Sequence, residues 1–242
     1  MSGDRKLQPA AIICENIRDQ HAEELAEESH KAITEALLER AKREWDRWDE
    51  KGTSAVEATG FCCDQLLKFS VEPEQEVRLF RLMSYVKLEM NDTSTSNHYL
   101  EKVMAADPSS INTHILRWAQ AVQSMGQGMA VQDAQDSLRH IVASDSEEKH
   151  SLLCSMGDRA QEFGQHELFL QCLQEQFLLR SQTPELQVAL LTDMVKISEN
   201  ISTAAAAKVL NALGEADIKM IKAEADENAL MYLQNMTWNL GE

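Results

Sequence analysis

"VEPEQEVRLFRLMSYVKLEMNDTSTSNHYLEKVMAADPSS", residues 71–110, holds two helices and the breaks that bound them. Val77, Phe80, Met83 and Val86 recur close to helical spacing, which predicts one apolar face. Pro73 stands near the first turn, where its fixed φ suits the helix and its missing N–H is not needed. The second segment, "STSNHYLEKVMAADPSS", ends at Asp107–Pro108, because the residue before a proline is pushed out of the α region. Two helices between two breaks make a hairpin.

The same punctuation recurs along the chain. Pro73, Asp107–Pro108, Ser144–Asp145 and Thr183–Pro184 stand about 35 to 39 residues apart, and each interval has room for two helices. A helix–turn–helix unit of that period marks an α-solenoid, nearest to tetratricopeptide repeats of about 34 residues. The first-helix consensus Trp, Gly/Ala and Tyr are mostly missing, so the expected fold is an all-α solenoid of degenerate tetratricopeptide-like helical hairpins. A closed helical bundle with the same number of helices is the alternative.

Around this core the sequence divides into three stretches. Residues 1–10 read as a flexible polar start. Residues 11–52 read as one long helix, or two meeting near Ser29, with Arg40, Lys42, Arg43, Arg47 and Lys51 placed to complement a helix C-terminus. Trp45 and Trp48, three apart, share a face and read as core. Residues 53–242 carry the repeats, as part of about eleven helices whose short connections make neighbours antiparallel. Ser54 with Glu57, and Ser144 with Glu147, have the spacing of capping boxes. Gly126, Gly164 and Pro184 are expected at helix boundaries. "PELQVALLTDMVKISEN", 184–200, is apolar on nearly every side, which suits a helix sandwiched between neighbours.

Composition agrees. Hydrophobic residues make up 43%, while only 4 Pro and 9 Gly interrupt the chain. Leu, Ala, Met, Glu and Gln are helix formers that lose little rotamer freedom in a helix. The net charge of −17 repels phosphate backbones and anionic lipid, so neither nucleic acid nor membrane is expected as a direct partner. The opening "MSGDRKLQPA" has no apolar signal core, and no apolar run reaches the ~18 residues of a membrane span. An intracellular protein is expected. Cys14, Cys62, Cys63, Cys154 and Cys172 form no C-x-x-C pair and read as reduced core thiols.

No catalytic, cofactor-binding or metal residue is assigned. His150, Cys154, His166 and Cys172 lie on two helices without ligand-like spacing, so they do not read as a zinc set. "GQG" at 126–128 lacks the Lys-Ser/Thr and the strand of a phosphate loop. No G-x-S-x-G occurs, and the many carboxylates read as solvated helix faces. An all-α enzyme or small-molecule binder is the alternative from another class. Among repeat adaptors, those that clamp an acidic C-terminal tail need Lys, Asn and Arg at fixed first-helix positions. Here Tyr85 and Leu116 stand where Asn is needed, and Arg81 and Arg117 alone make no clamp.

The closing "YLQNMTWNLGE", after the "NALGEAD" segment, resembles the W-N-L-(G/A) element that starts a repeat in the meiotic tetratricopeptide family. That family comprises the fungal sporulation/zipper protein and its animal testis-expressed counterparts. Phrases such as "HELFLQCLQEQFLLR" are similar in character to its long Leu/Ala/Cys-rich repeats. The resemblance implies a non-enzymatic nuclear scaffold that assembles other proteins for crossover formation and chromosome synapsis. A cytoplasmic tetratricopeptide-like adaptor for another assembly is the alternative. Family members are several times longer, so the repeats are expected to continue past Glu242. Trp238 is then expected to pack on the "KVLNALG" helix, with Met231 or its neighbours exposed.

Overall fold

The computed structural model describes residues 27–45, 47, 52–68, 72–124, 130–179, 183–225 and 227–240, with side chains described except at 27–31, 215–216 and 237–240. Among the described residues there are twelve α-helices and no strand. They are α1 (Glu27–Trp45), α2 (Thr53–Leu66), α3 (Pro73–Glu89), α4 (Thr93–Ala106), α5 (Ile111–Gln123), α6 (Ala130–Ala143), α7 (Lys149–Glu162), α8 (His166–Leu179), α9 (Pro184–Ile201), α10 (Thr203–Asn211), α11 (Glu215–Glu224) and α12 (Glu227–Leu240). The chain forms two compact units, residues 1–116 and 117–242.

In the first unit α1 packs on α2, α2 on α3, and α3 on α4. Neighbours in sequence are therefore neighbours in space, the solenoid-like order that the recurring interval predicts. The α3–α4 turn reverses the chain within Met90–Asp92. Asn91 takes the left-handed conformation there (φ 58°), and the Asp92 carboxylate caps α4 by accepting from the Thr95 amide at 3.1 Å. Ala41, Cys62, Cys63, Leu66, Leu79 and Met83 form the core. Cys62 and Cys63 are adjacent in the helix, yet both are buried. The reason is that α2 lies between α1 and α3, so it has two inner faces.

Small residues set how closely these helices approach. A Cβ on Gly60 of α2 would stand 2.9 Å from Val86 Cγ1 of α3. Between α3 and α4, Ser84 and Ser96 are fully buried and bond reciprocally: each hydroxyl donates to the other's carbonyl, at 3.0 and 2.8 Å. The expected apolar stripe of α3 is rotated slightly. Leu79, Met83 and Val86 point into the core, whereas Val77 and Phe80 flank it half-buried. Phe80 stacks on Tyr99 and carries the Lys102 ammonium 4.7 Å from its ring centre.

In the second unit α7 packs on α8, α8 on α9 and α9 on α10, and α6 also reaches α8. α9 further carries α11 and α12, which explains why its sequence is apolar on nearly every side. Its Val188, Leu191, Met194 and Val195 share a core with Leu173 and Phe177 of α8, Val209 of α10, Ile221 of α11, and Leu233 and Met236 of α12. Gly157 of α7 permits another close crossing, since a Cβ there would stand 3.3 Å from the Phe169 ring of α8.

The breaks behave as their chemistry predicts. Pro73 and Pro184 stand in the first turns of α3 and α9, and α4 stops at Ala106 just before Asp107–Pro108. Gly164 has φ +67°, donates to the Gln161 carbonyl, and is followed by Gln165 donating to Ala160, which closes α7 in a Schellman motif. Two expectations, both on capping, need correction. Ser54 is inside α2, whose N-cap is Gly52 (φ 55°), and no side chain caps that end. Ser144 donates back to the Ile141 carbonyl, so it finishes α6 instead of starting α7. From Glu27 onward α1 is continuous through Ser29, and the preceding residues of the 11–52 stretch lie outside the described residues. Residues 202–220 divide into α10 and α11, where the Asp217 carboxylate accepts from the Gly214 amide at 3.0 Å at the start of α11. Residues 1–10, Cys14, Trp48, Gly126 to Gly128 and the Trp238 side chain lie outside the described residues. Met231 is 59% exposed, as expected.

Candidate interaction groove

One face of α3 lines a groove at the edge of the core. Glu74, Val77, Arg78, Arg81, Leu82 and Tyr85 recur at intervals of three and four, which puts them in one stripe. Trp45 at the end of α1 closes one side of this stripe, and Ala106, Asp107 and Asn112 close the other. The result is a groove of about 890 Å³ within the first unit. Its floor is aromatic, because the Trp45 and Tyr85 rings lie tilted against each other with centroids 6.2 Å apart.

The charges of the groove are neutralised internally. The Arg81 side chain is only 15% exposed; its Nη2 donates to Asp107 Oδ2 at 2.5 Å and to Thr113 Oγ1 at 3.3 Å. The Thr113 hydroxyl in turn donates to the Asp107 carbonyl at 2.8 Å. Arg81 Nε is buried with no hydrogen-bond partner among the described residues, an arrangement that costs about 1–3 kcal/mol. The ion pair to Asp107 holds the guanidinium there against that cost. Arg78, near the rim, pairs with Glu74 one turn earlier, both well exposed. The groove thus combines an apolar floor with charges that are compensated internally.

The two arginines weighed for a carboxylate clamp are structural ties instead. Arg81 of α3 bonds Asp107 after α4, while Arg117 of α5 bonds Asp133 of α6 at 2.5 Å. A third, Arg159 of α7, donates to Gln123 of α5 at 3.0 Å. Arg81 and Arg117 stand 36 residues apart, one repeat interval. Spacing alone shows the recurrence; only tertiary structure shows that each cation is already occupied. Of the other residues weighed with them, Tyr85 lines the groove and Leu116 is fully buried.

The histidine–cysteine set is brought together only in part. His150 and Cys154, one turn apart on α7, have ring nitrogens and sulfur 3.8–3.9 Å apart, and the thiol also reaches Gln176 Oε1 at 3.4 Å. Cys172 is fully buried and His166 is exposed. Burial, then Asp158, pushes the Cys154 thiol up, so the nucleophilic thiolate is disfavoured beside His150. Burial pushes Cys63 and Cys172 up to about 12. Among the described residues no group of three or more His, Cys, Asp and Glu is placed to hold a metal ion. No described helix is long and apolar enough to cross a membrane.

Comparisons with protein-family models, with curated proteins and with solved structures find no match to this chain.

Proposed function

We propose that this chain is a non-enzymatic protein-interaction scaffold, and that the α3 groove takes a neutral, extended segment of a partner through an apolar anchor. The observation that carries this reading is the Trp45–Tyr85 floor beside a fixed arginine. Trp, Tyr and Arg are the residues that dominate binding energy at protein interfaces, above all where they line a well-packed depression. The internal pairing of Arg81 and Arg78 argues for an uncharged segment, since a charged one would have to displace Asp107 or Glu74. Solenoid-like packing supports the same reading, because stacked hairpins present extended faces and leave one side of each helix pair unpaired.

The setting we propose is the assembly of crossover and synapsis proteins in the meiotic nucleus. The support for it is the "TWNLGE" element at residues 237–242 and the Leu/Cys-rich repeat text. The experiment places a photoreactive phenylalanine at Val77 and irradiates the tagged chain in germline and in somatic extract. The scaffold reading expects a discrete protein adduct that disappears in Trp45→Ala/Tyr85→Ala and is competed by the crosslinked segment as a synthetic peptide. The meiotic reading expects that adduct from germline extract only. Crosslinking that is diffuse, or indifferent to the aromatic pair, refutes the groove; an equal adduct in somatic extract refutes the meiotic setting alone.

A further inference from the structure

A second trough lies within the other unit, where α9, α11 and α12 meet, and its chemistry is different. Val188, Ala189 and Ala229 form an apolar floor within a volume of about 640 Å³. Carboxylates stand on its rims. Glu185 is in the first turn of α9, and Glu224 is the last residue of α11; both line the trough. No basic side chain pairs with either among the described residues. Glu185 is held below the ordinary carboxylate range, first by the Thr183 side chain, so it is ionised at neutral pH. Glu224 is badly placed for isolation, since a helix C-terminus already carries partial negative charge.

Farther along the trough, Asp193 carries, among the described residues, only the loose Lys196 contact at 3.7 Å, with both side chains more than half exposed. Tyr232, whose hydroxyl donates to Glu199 at 2.6 Å, closes that end. Two large apolar side chains adjoin the floor by helical spacing. Leu186, 55% exposed, precedes Ala189 by three residues, and Met231, 59% exposed, follows Asn228 by three. Exposed apolar residues bordering a concave surface mark a docking face.

We propose that this trough docks a basic amphipathic helix of a partner protein, with cations seven or eight residues apart. Glu185 and Asp193 are eight residues apart on α9, a rise of about 12 Å. A partner helix lying along α9 would match that rise with Lys or Arg at the same interval. One cation would pair with Glu185 and Glu224 at one end of the trough, and the other would take Asp193 from Lys196. The apolar residues between them would cover Val188, Ala189 and Ala229, where small side chains let a helix axis come to the ~8–10 Å of normal packing. The net charge of −17 would steer such a partner toward the chain but does not select the trough. The inference takes from the scaffold reading only that the ligand is a protein, and it uses a separate surface.

The test is fluorescence anisotropy with three designed peptides of about five helical turns. The first has Leu at helical period and Lys at i and i+7; the second replaces Lys by Glu; the third scrambles the first. The first is expected to bind the full chain at least about tenfold more tightly than the other two. Glu185→Lys/Glu224→Lys should weaken it about tenfold, whereas Glu57→Lys/Glu101→Lys, the same charge change on exposed carboxylates elsewhere, should change it less than about twofold. Ala189→Trp, at an exposed position, should block the floor without altering charge, and circular dichroism reports whether each variant is folded. Equal weakening by both double variants, or equal binding of the scrambled peptide, overturns the proposal in favour of unselective charge attraction. Self-association that the trough substitutions abolish would give the trough to a second copy and equally overturn it. Trp45→Ala/Tyr85→Ala should leave this binding intact, so failure here and failure of the α3 groove are separate results.

Discussion

Replacing Gly60 by Ala puts the α2–α3 crossing to a quantitative test. In an isolated helix the change stabilises by roughly 1 kcal/mol, because Gly loses more backbone freedom than Ala. Here the added methyl would meet Val86 Cγ1 at 2.9 Å, and Val86 is fully buried. A β-branched side chain in a helix has one strongly preferred χ1, so Val86 cannot swing aside. Overpacking of that kind costs about 1–3 kcal/mol, so Gly60→Ala should be destabilising by up to about 2 kcal/mol. In a Val86→Ala background the obstacle is gone, and the same substitution should then stabilise by about 1 kcal/mol. Urea unfolding followed by far-ultraviolet circular dichroism measures both arms of this cycle. Gly157→Ala is the comparison: its 3.3 Å neighbour is the half-buried Phe169 ring, which can tilt, so strain and helix gain should nearly cancel. If Gly60→Ala stabilises the natural chain as much as it stabilises the Val86→Ala variant, α2 and α3 do not approach as described.

Three further outcomes follow from the same packing. Arg81→Met, which removes the part-buried pair to Asp107 and the Thr113 bond, should cost about 1–2 kcal/mol in urea unfolding. Arg78→Met, which removes an exposed pair to Glu74, should cost no more than about 0.5 kcal/mol, and equal costs would refute the structural role of Arg81. Cys63 and Cys172 are raised to about 12 by burial, so the folded state holds their protons more tightly than the unfolded chain. Their contribution is complete below pH 9 and is lost as pH rises toward 12, by up to about 1.4 kcal/mol per pH unit for each thiol. Urea midpoints should fall over that range less steeply in Cys63→Ala/Cys172→Ala, and parallel declines would show that the thiols are not buried as described.

What the sequence made legible was local chemistry. Pro73, Pro184, Asp107–Pro108 and Gly164 act through φ limits and missing donors that no neighbour can override, so they mark helix ends in text and in space alike. Capping was less legible. Ser54 and Ser144 have the right spacing to Glu57 and Glu147, but Ser54 falls inside α2, which starts one residue earlier, and the Ser144 hydroxyl serves the helix before it. The α10–α11 break was hidden for a related reason, since Gly214 and Asp217 look like helix interior until the Asp217 side chain turns back on the Gly214 amide. Burial of both Cys62 and Cys63 needed the knowledge that α2 lies between two helices. The groove was half visible. Its stripe from Glu74 to Tyr85 is periodic, but Trp45 joins it from a helix nearly thirty residues earlier, and periodicity cannot bring the two together. The pairing of Arg81 with Asp107 was hidden likewise, because it depends on where α4 ends.

The central claim, recognition through the α3 groove, is tested most directly by hydrogen exchange. The purified chain would be measured with and without the segment identified by crosslinking at Val77, supplied as a peptide, in the natural sequence and in Trp45→Ala. The account predicts new protection confined to residues 73–85 and the end of α1. It also predicts a loss of about 2 kcal/mol, roughly thirtyfold in Kd, when Trp45 is truncated. Protection that appears elsewhere, or binding that Trp45→Ala leaves unchanged, would contradict it.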